Sequence, residues 1–440
     1  MLRLKLLWAS LLPKGGFARN VSVLTGGTAV GQVGAILAAP ILARLYTPED
    51  FGHFQVYLSV MVFGVVMAAW RYELAIILPE KDEVAANMLA LAVGIVGVTS
   101  LIFAGVAWWA QGSSLWPNQA EALRPYLWLM PLSICATGLY QVLSYWALRQ
   151  KAYSQMAATK LTQAASQLST QLIMGGFFQS GFFGLLLGDA LGRMSGNLGL
   201  ARMAWRYNLK LFRTVNWRDM WFAAVRYRDF PLISSGSALL NTAGFALPML
   251  MLGSLYSPQV LGWFALVERI MGAPTTLIGQ AVSQVYMGEA ARLVSSDPEA
   301  LRIQFLKALK RLLWLGGVPC AVIFLAGPTL FAFIFGESWR EAGEYARLLA
   351  VMHYVGFVAW PLIPTLNILE HQIWQLGWDI GRLALTLGGL WVGYHLEWPA
   401  RGAIVAYGVA MLTGYAVHLF LSYRAIQRRI VRVPIAGEAV

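Results

Sequence analysis

The chain has 440 residues, of which 58% are apolar and only 12% charged. A soluble domain carries about twice that share of charge, so a soluble fold is excluded and the bilayer must be the solvent for most of the surface. The net charge of +12 could suggest nucleic acid in a soluble protein, but here the basic residues gather between apolar runs, and no nucleic-acid partner is expected.

In lipid the backbone must satisfy its own hydrogen bonds, which leaves helices or closed barrels. Barrel strands alternate over about ten residues. The apolar runs here are about 20 residues or longer, so they read as helices. The start, Met1–Leu12, is short and basic and reads as a cytoplasmic lead-in. The first span, 22–44, carries Gly26, Gly27, Gly31 and Gly34. Close helix packing explains such glycines, and a gating bend at Gly26 and Gly27 is the sharper reading. The second span, 51–78, is long for the bilayer and contains Arg71 and Glu73. On an α-helix these two would face nearly opposite ways, so each would need a partner elsewhere. Spans follow at 86–110 and 125–148.

The fifth span, 157–178, is the most polar. Gln163, Gln167 and Gln171 form a stripe at four-residue spacing. It reads either as glue between helices or as the wet wall of a cavity that binds a hydroxyl-rich substrate. The sixth span, 181–201, holds Asp189 and Arg193 at i,i+4, a pair that can neutralise itself. A basic, aromatic stretch over 202–230 separates it from the seventh span, 231–254, where Pro248 is a second candidate for a gating bend. The eighth span, 260–287, contains Glu268 and Arg269. Spans at 312–335, 346–369, 372–394 and 402–423 complete twelve, and the eleventh pairs Asp379 with Arg382 at i,i+3. Charges inside spans are costly and usually functional. Arg71 and Arg269, at different depths, would suit an anion moving outward.

Lysine and arginine in the connections fall 24 on one side and five on the other, which puts both termini in the cytoplasm. The two halves also repeat. Leu45-Tyr46-Thr47-Pro48 through Gly52 and Phe54 matches Leu255-Tyr256-Ser257-Pro258 through Gly262 and Phe264 at a constant offset. The same offset pairs Gly26 with Gly236 and Gly34 with Gly244. The expected organisation is a six-helix lobe over 1–201, the basic linker 202–230 and a second six-helix lobe over 231–440. No metal or cofactor is expected: the histidines and the two cysteines lack ligand spacing, and no phosphate loop or nucleophile elbow occurs.

Arg71-Tyr72-Glu73-Leu74-Ala75-Ile76-Ile77-Leu78-Pro79, followed by Ala85-Ala86-Asn87-Met88-Leu89-Ala90-Leu91, closely resembles the second-to-third helix region of Wzx-type polysaccharide flippases of the multidrug/oligosaccharidyl-lipid/polysaccharide (MOP) exporter superfamily. The first span and the Leu45–Gly52 segment look like that family's opening. The resemblance implies twelve helices in two pseudo-symmetric lobes around a central cavity. It implies a non-enzymatic transporter in the bacterial inner membrane that flips undecaprenyl-diphosphate-linked oligosaccharide by alternating access. It marks Arg71 and Glu73 as candidate substrate contacts. Arg269, Arg193, Arg382 and the glutamines are candidates on the residue reading alone. The partners expected are the polyprenyl-diphosphate-linked oligosaccharide, membrane lipid and polysaccharide polymerase machinery, around a monomer. The rival readings are a MATE-like drug or cation antiporter and a membrane polysaccharide polymerase or ligase.

Overall fold

The computed structural model describes residues 16–112 and 118–432; the lead-in expected over Met1–Leu12 lies outside the described residues. Among these there is no strand, and twelve helices are 20 residues or longer. They are α1 (Gly16–Leu45), α2 (Pro48–Met67), α3 (Asp82–Gly112), α4 (Leu129–Arg149), α5 (Tyr153–Gly176), α6 (Phe182–Phe212), α7 (Ser235–Leu255), α8 (Pro258–Ser296), α9 (Pro298–Phe335), α10 (Arg340–Ala359), α11 (Gln372–His395) and α12 (Ala400–Arg432). Each overlaps one expected span. By length and composition alone, α2, α3, α9, α12 and the stretches that contain α7 and α10 are apolar enough to cross a membrane. The fold is all-α and membrane-embedded. The chain divides into two compact units, one ending at Ala246 and one beginning at Leu247.

The repeat is visible in how helices begin. Thr47 caps α2: its side chain accepts from the Asp50 amide at 3.1 Å, and Pro48 occupies the first turn. Ser257 caps α8 in the same way, accepting from the Val260 amide at 3.1 Å ahead of Pro258. A hydroxyl cap followed by proline needs no amide that proline lacks. The preceding tyrosine in each copy packs on the fifth helix of its own half. Tyr46 donates to the Gln171 carbonyl at 2.6 Å, and Tyr256 meets Tyr394 edge-on at 6.2 Å.

The structure corrects the second and tenth spans and shows what joins the eighth to the ninth. The second span is not one long helix; α2 stops at Met67 and a 3-10 segment covers Tyr72–Ile77. The tenth is interrupted: α10 ends at Ala359, where Pro361 and Pro364 follow and cannot continue the hydrogen-bond ladder. The inner connection between the eighth and ninth spans is not a loop. Both helices run on until they meet at Asp297, whose side chain caps α9 through the Ala300 amide at 2.9 Å.

The glutamine stripe is also placed. Gly188, Gly192 and Gly196 form a ladder on α6 that faces it. A Cβ on Gly192 would lie 2.7 Å from Gln167 Cβ, and one on Gly196 would lie 2.7 Å from Gln163 Nε2. A Cβ on Gly188 would collide with Gln171 Cγ. Gln171 is buried and donates to the Leu185 carbonyl at 3.2 Å. Gln163, Gln167 and Gln171 thus face α6 along the α5–α6 contact, which favours the helix-glue reading. The missing side chains on α6 let α5 approach closely enough to bury Gln171 and half-bury Gln163 and Gln167.

The gate candidates lie in unbroken helices: Gly26 and Gly27 in α1, Pro248 in α7. A Cβ on Gly26 would meet nothing within 4 Å. Gly31 is different, because a Cβ there would touch Ala164 on α5 at 3.6 Å.

Candidate functional site

The recognised motif begins where α2 ends. Trp70 and Arg71 adopt left-handed backbone conformations, with φ of 50° and 64°. Neither is glycine or asparagine, so each is strained by about 1 kcal/mol or more and must be held by its surroundings. Arg149, at the end of α4, supplies much of that hold. Its guanidinium donates to the carbonyls of Pro79 at 2.7 Å and Ile76 at 3.3 Å and to Asp82 Oδ1 at 2.7 Å. Tyr72 donates to the Ala224 carbonyl at 3.0 Å, and Asn87 Oδ1 accepts from the Asn216 amide at 3.1 Å. These two motif residues thus fasten a short helix, Trp217–Arg226, against the first unit. The basic stretch 202–230 is thus the end of α6, to Phe212, followed by that short helix, not an open loop.

The bend changes the geometry of the two charged residues. Arg71 Nη1 lies 3.7 Å from Glu73 Oε1. The expectation that they face apart is overturned, because it assumed an α-helix that ends before them. Glu73 is only 3% exposed, and its Oε2 has no hydrogen-bond partner. Arg71 keeps about a third of its side chain exposed. A partly exposed guanidinium with a single long contact can still take a phosphate oxygen pair.

Asp189 and Arg193 on α6 pair at 2.6 Å, as their spacing predicts. Arg193 also donates to Thr137 Oγ1 on α4 at 3.2 Å. Nearby, Tyr57 on α2 donates to Ser133 Oγ at 2.8 Å, and Asn197 on α6 donates to the Ala136 carbonyl at 2.8 Å. Arg193 is committed to a network that joins three helices. That favours a structural role over substrate binding.

The second unit holds the other charges. Glu268 on α8 approaches His353 on α10 at 3.3 Å, so its partner is the other helix it needs. The neighbouring Arg269 is half-buried. Arg382 is buried, lies 3.7 Å from Asp379 and stacks over the Trp378 ring at 5.0 Å. Trp378 is fixed by donation to the Gly414 carbonyl at 2.6 Å. Gln375 bridges this group, donating to Asp379 at 3.3 Å and meeting His418 Nε2 at 3.0 Å. Sequence reasoning missed His353 and His418; both show only as single histidines in apolar runs, and their partners lie on other helices. Among the described residues no cluster of histidine, cysteine and carboxylate could hold a metal ion.

Three kinds of similarity bear on this chain. A family profile described as polysaccharide biosynthesis protein matches residues 41–344. The succinoglycan biosynthesis transport protein ExoT of Rhizobium meliloti (strain 1021) is 22% identical over 391 residues, covering 86% of this chain and 75% of that protein. Among solved structures, an inward-facing multidrug resistance MATE family transporter of the MOP superfamily superposes with a TM-score of 0.63 at 14% identity, covering 93% of this chain and 96% of that one. A MOP superfamily transporter from Pyrococcus furiosus, described as having a binding pocket of reverse polarity that suggests a different function, superposes with a TM-score of 0.58 at 14% identity, covering 94% and 96%. Both superpositions span nearly the whole of each chain, and the profile covers well over half of this one. The fold is thus that of MATE-type transporters, and the chain belongs to the polysaccharide biosynthesis protein family.

Proposed function

We propose that this polysaccharide-biosynthesis transporter flips a polyprenyl-diphosphate-linked oligosaccharide from the cytoplasmic to the periplasmic leaflet of the bacterial inner membrane. The observation that carries the reading is the family match over residues 41–344, which includes the Arg71 motif. The diphosphate and glycan are too polar to cross hydrocarbon unaided. Two lobes, 1–201 and 231–440, joined by the linker 202–230, would alternate access while the lipid tail stays in the bilayer. Both termini would lie in the cytoplasm, since the basic connections lie on that side. Arg71 would take phosphate oxygens as the headgroup enters, and Arg269 would offer a second cationic station. Moving two negative charges outward through a potential of about 150 mV releases roughly 7 kcal/mol. The reading requires no bond to be made or broken.

The MATE-like drug antiporter has one observation in its favour, the names of the solved structures with this fold. Against it, the first helix contains no acidic residue that could exchange a proton for a cationic drug. Deleting the gene separates the two. Loss of a surface polysaccharide, with lipid-linked repeat units left on the inner leaflet, is the expected result. Persistence of the glycan together with reduced dye efflux would overturn the proposal.

A further inference from the structure

The α8–α9 hairpin is too long for the bilayer it crosses. With 39 and 38 residues, these helices run roughly 58 Å at about 1.5 Å per residue, against a hydrocarbon core of about 30 Å. Exposed Phe333, followed by the Glu337–Arg340 ion pair just beyond the end of α9, marks one boundary of that core. Counting roughly 20 residues back along α9 sets the other boundary near Leu315. Trp314 stands there, 85% exposed, at the depth an indole prefers.

On the polar side of that tryptophan, Arg311 and Lys307 continue one face of α9, roughly 5 and 10 Å farther out at about 1.5 Å per residue. Neither makes an ion pair or hydrogen bond among the described residues. They line a groove of about 870 Å³ between α8 and α9. Toward the bilayer its walls are Val285 and Leu315; toward water they include Glu289, to which Gln304 Nε2 donates. The groove is therefore apolar at one end and cationic at the other, and it changes character at headgroup depth. Two cations and one carboxylate leave it a net charge of +1. A diphosphate, with at least two negative charges, would be left under-neutralised. A phosphodiester carries one.

We propose that this groove binds one monoanionic glycerophospholipid, with the phosphodiester on Lys307 and Arg311 and an acyl chain along Val285 and Leu315. The test reads bound lipid directly and needs no transport assay. The purified full-length protein is exposed to equimolar phosphatidylglycerol and phosphatidylcholine in mixed micelles, and bound lipid is read by native mass spectrometry. Phosphatidylglycerol is expected to be retained about tenfold over phosphatidylcholine, a difference of about 1.4 kcal/mol. Lys307→Gln with Arg311→Gln should abolish that preference. With phosphatidate added to the mixture in equal amount, Glu289→Gln, which raises the groove to +2, should shift retention toward that dianionic lipid, and this arm decides the matter even if the double variant fails to accumulate. Equal retention of the two lipids by the unaltered protein would overturn the proposal. So would an unchanged preference in either variant, or stoichiometric displacement of phosphatidylglycerol by a polyprenyl diphosphate.

Discussion

Arg71 holds a left-handed backbone, a buried acid at 3.7 Å and a share of exposed surface at once. Removing it should separate its roles. Arg71→Ala leaves the Glu73 carboxylate without compensation, so the melting temperature in detergent should fall by an amount equivalent to about 1–3 kcal/mol. Adding Glu73→Gln should return most of that loss, because a neutral amide needs no counter-charge. Polysaccharide export should stay lost in the double variant, since the substrate's phosphate still has no guanidinium. Restored export would reduce Arg71 to a structural strut. Arg71→Lys should retain partial export, because charge survives while the two-pronged geometry does not. Both residues were visible in the sequence as charges inside an apolar run. Their mutual approach was not, because Trp70 and Arg71 are not residue types that announce a left-handed turn. The Glu268–His353 contact was hidden for another reason: it joins residues on different helices, and spacing along one helix carries no information about it.

Helix positions were legible almost throughout, since runs of apolar residues bounded by charge leave little choice in a bilayer. Helix contacts were legible only where composition is unusual, as at the glutamines of α5. There the structure makes a sharp contrast between glycines. Gly192→Leu would drive a branched side chain into Gln167 Cβ and the Gln163 carbonyl, 2.7 and 3.1 Å from the Cβ position. Destabilisation of about 2–3 kcal/mol or more is expected, seen as poor accumulation and early melting. Gly26→Ala meets nothing within 4 Å and gains up to about 1 kcal/mol of helix propensity. The protein should accumulate normally. If export nevertheless falls, Gly26 acts as a bend in a moving helix; if export is unchanged, the gating role assigned to it fails. At the motif, Asn87→Ala removes the acceptor for the Asn216 amide. Limited proteolysis should then cut within 213–230 faster than in the unaltered protein, while α2 and α3 stay protected.

Orientation is a property of the whole molecule, and it follows from where the basic residues collect. Cysteines introduced singly at Gln259 and Ser338 should react with an impermeant thiol reagent added outside intact cells. One at Ser296, on the tip of the α8–α9 hairpin, should react only after the membrane is opened. The reverse pattern would invert the topology. The half-repeat was legible from one matched segment, and the matched caps at Thr47 and Ser257 give it a structural basis. The protruding hairpin was not legible, because polar residues between two spans read equally well as a loop or as helix beyond the bilayer. The α5–α6 seam has a final consequence for biosynthesis. A helix with Gln163, Gln167 and Gln171 along one face enters lipid poorly as a lone segment, and its amides find their burial against a ladder of glycines that the ribosome makes only afterwards. During synthesis, then, α5 is expected to leave the translocon together with α6, as one inserted hairpin.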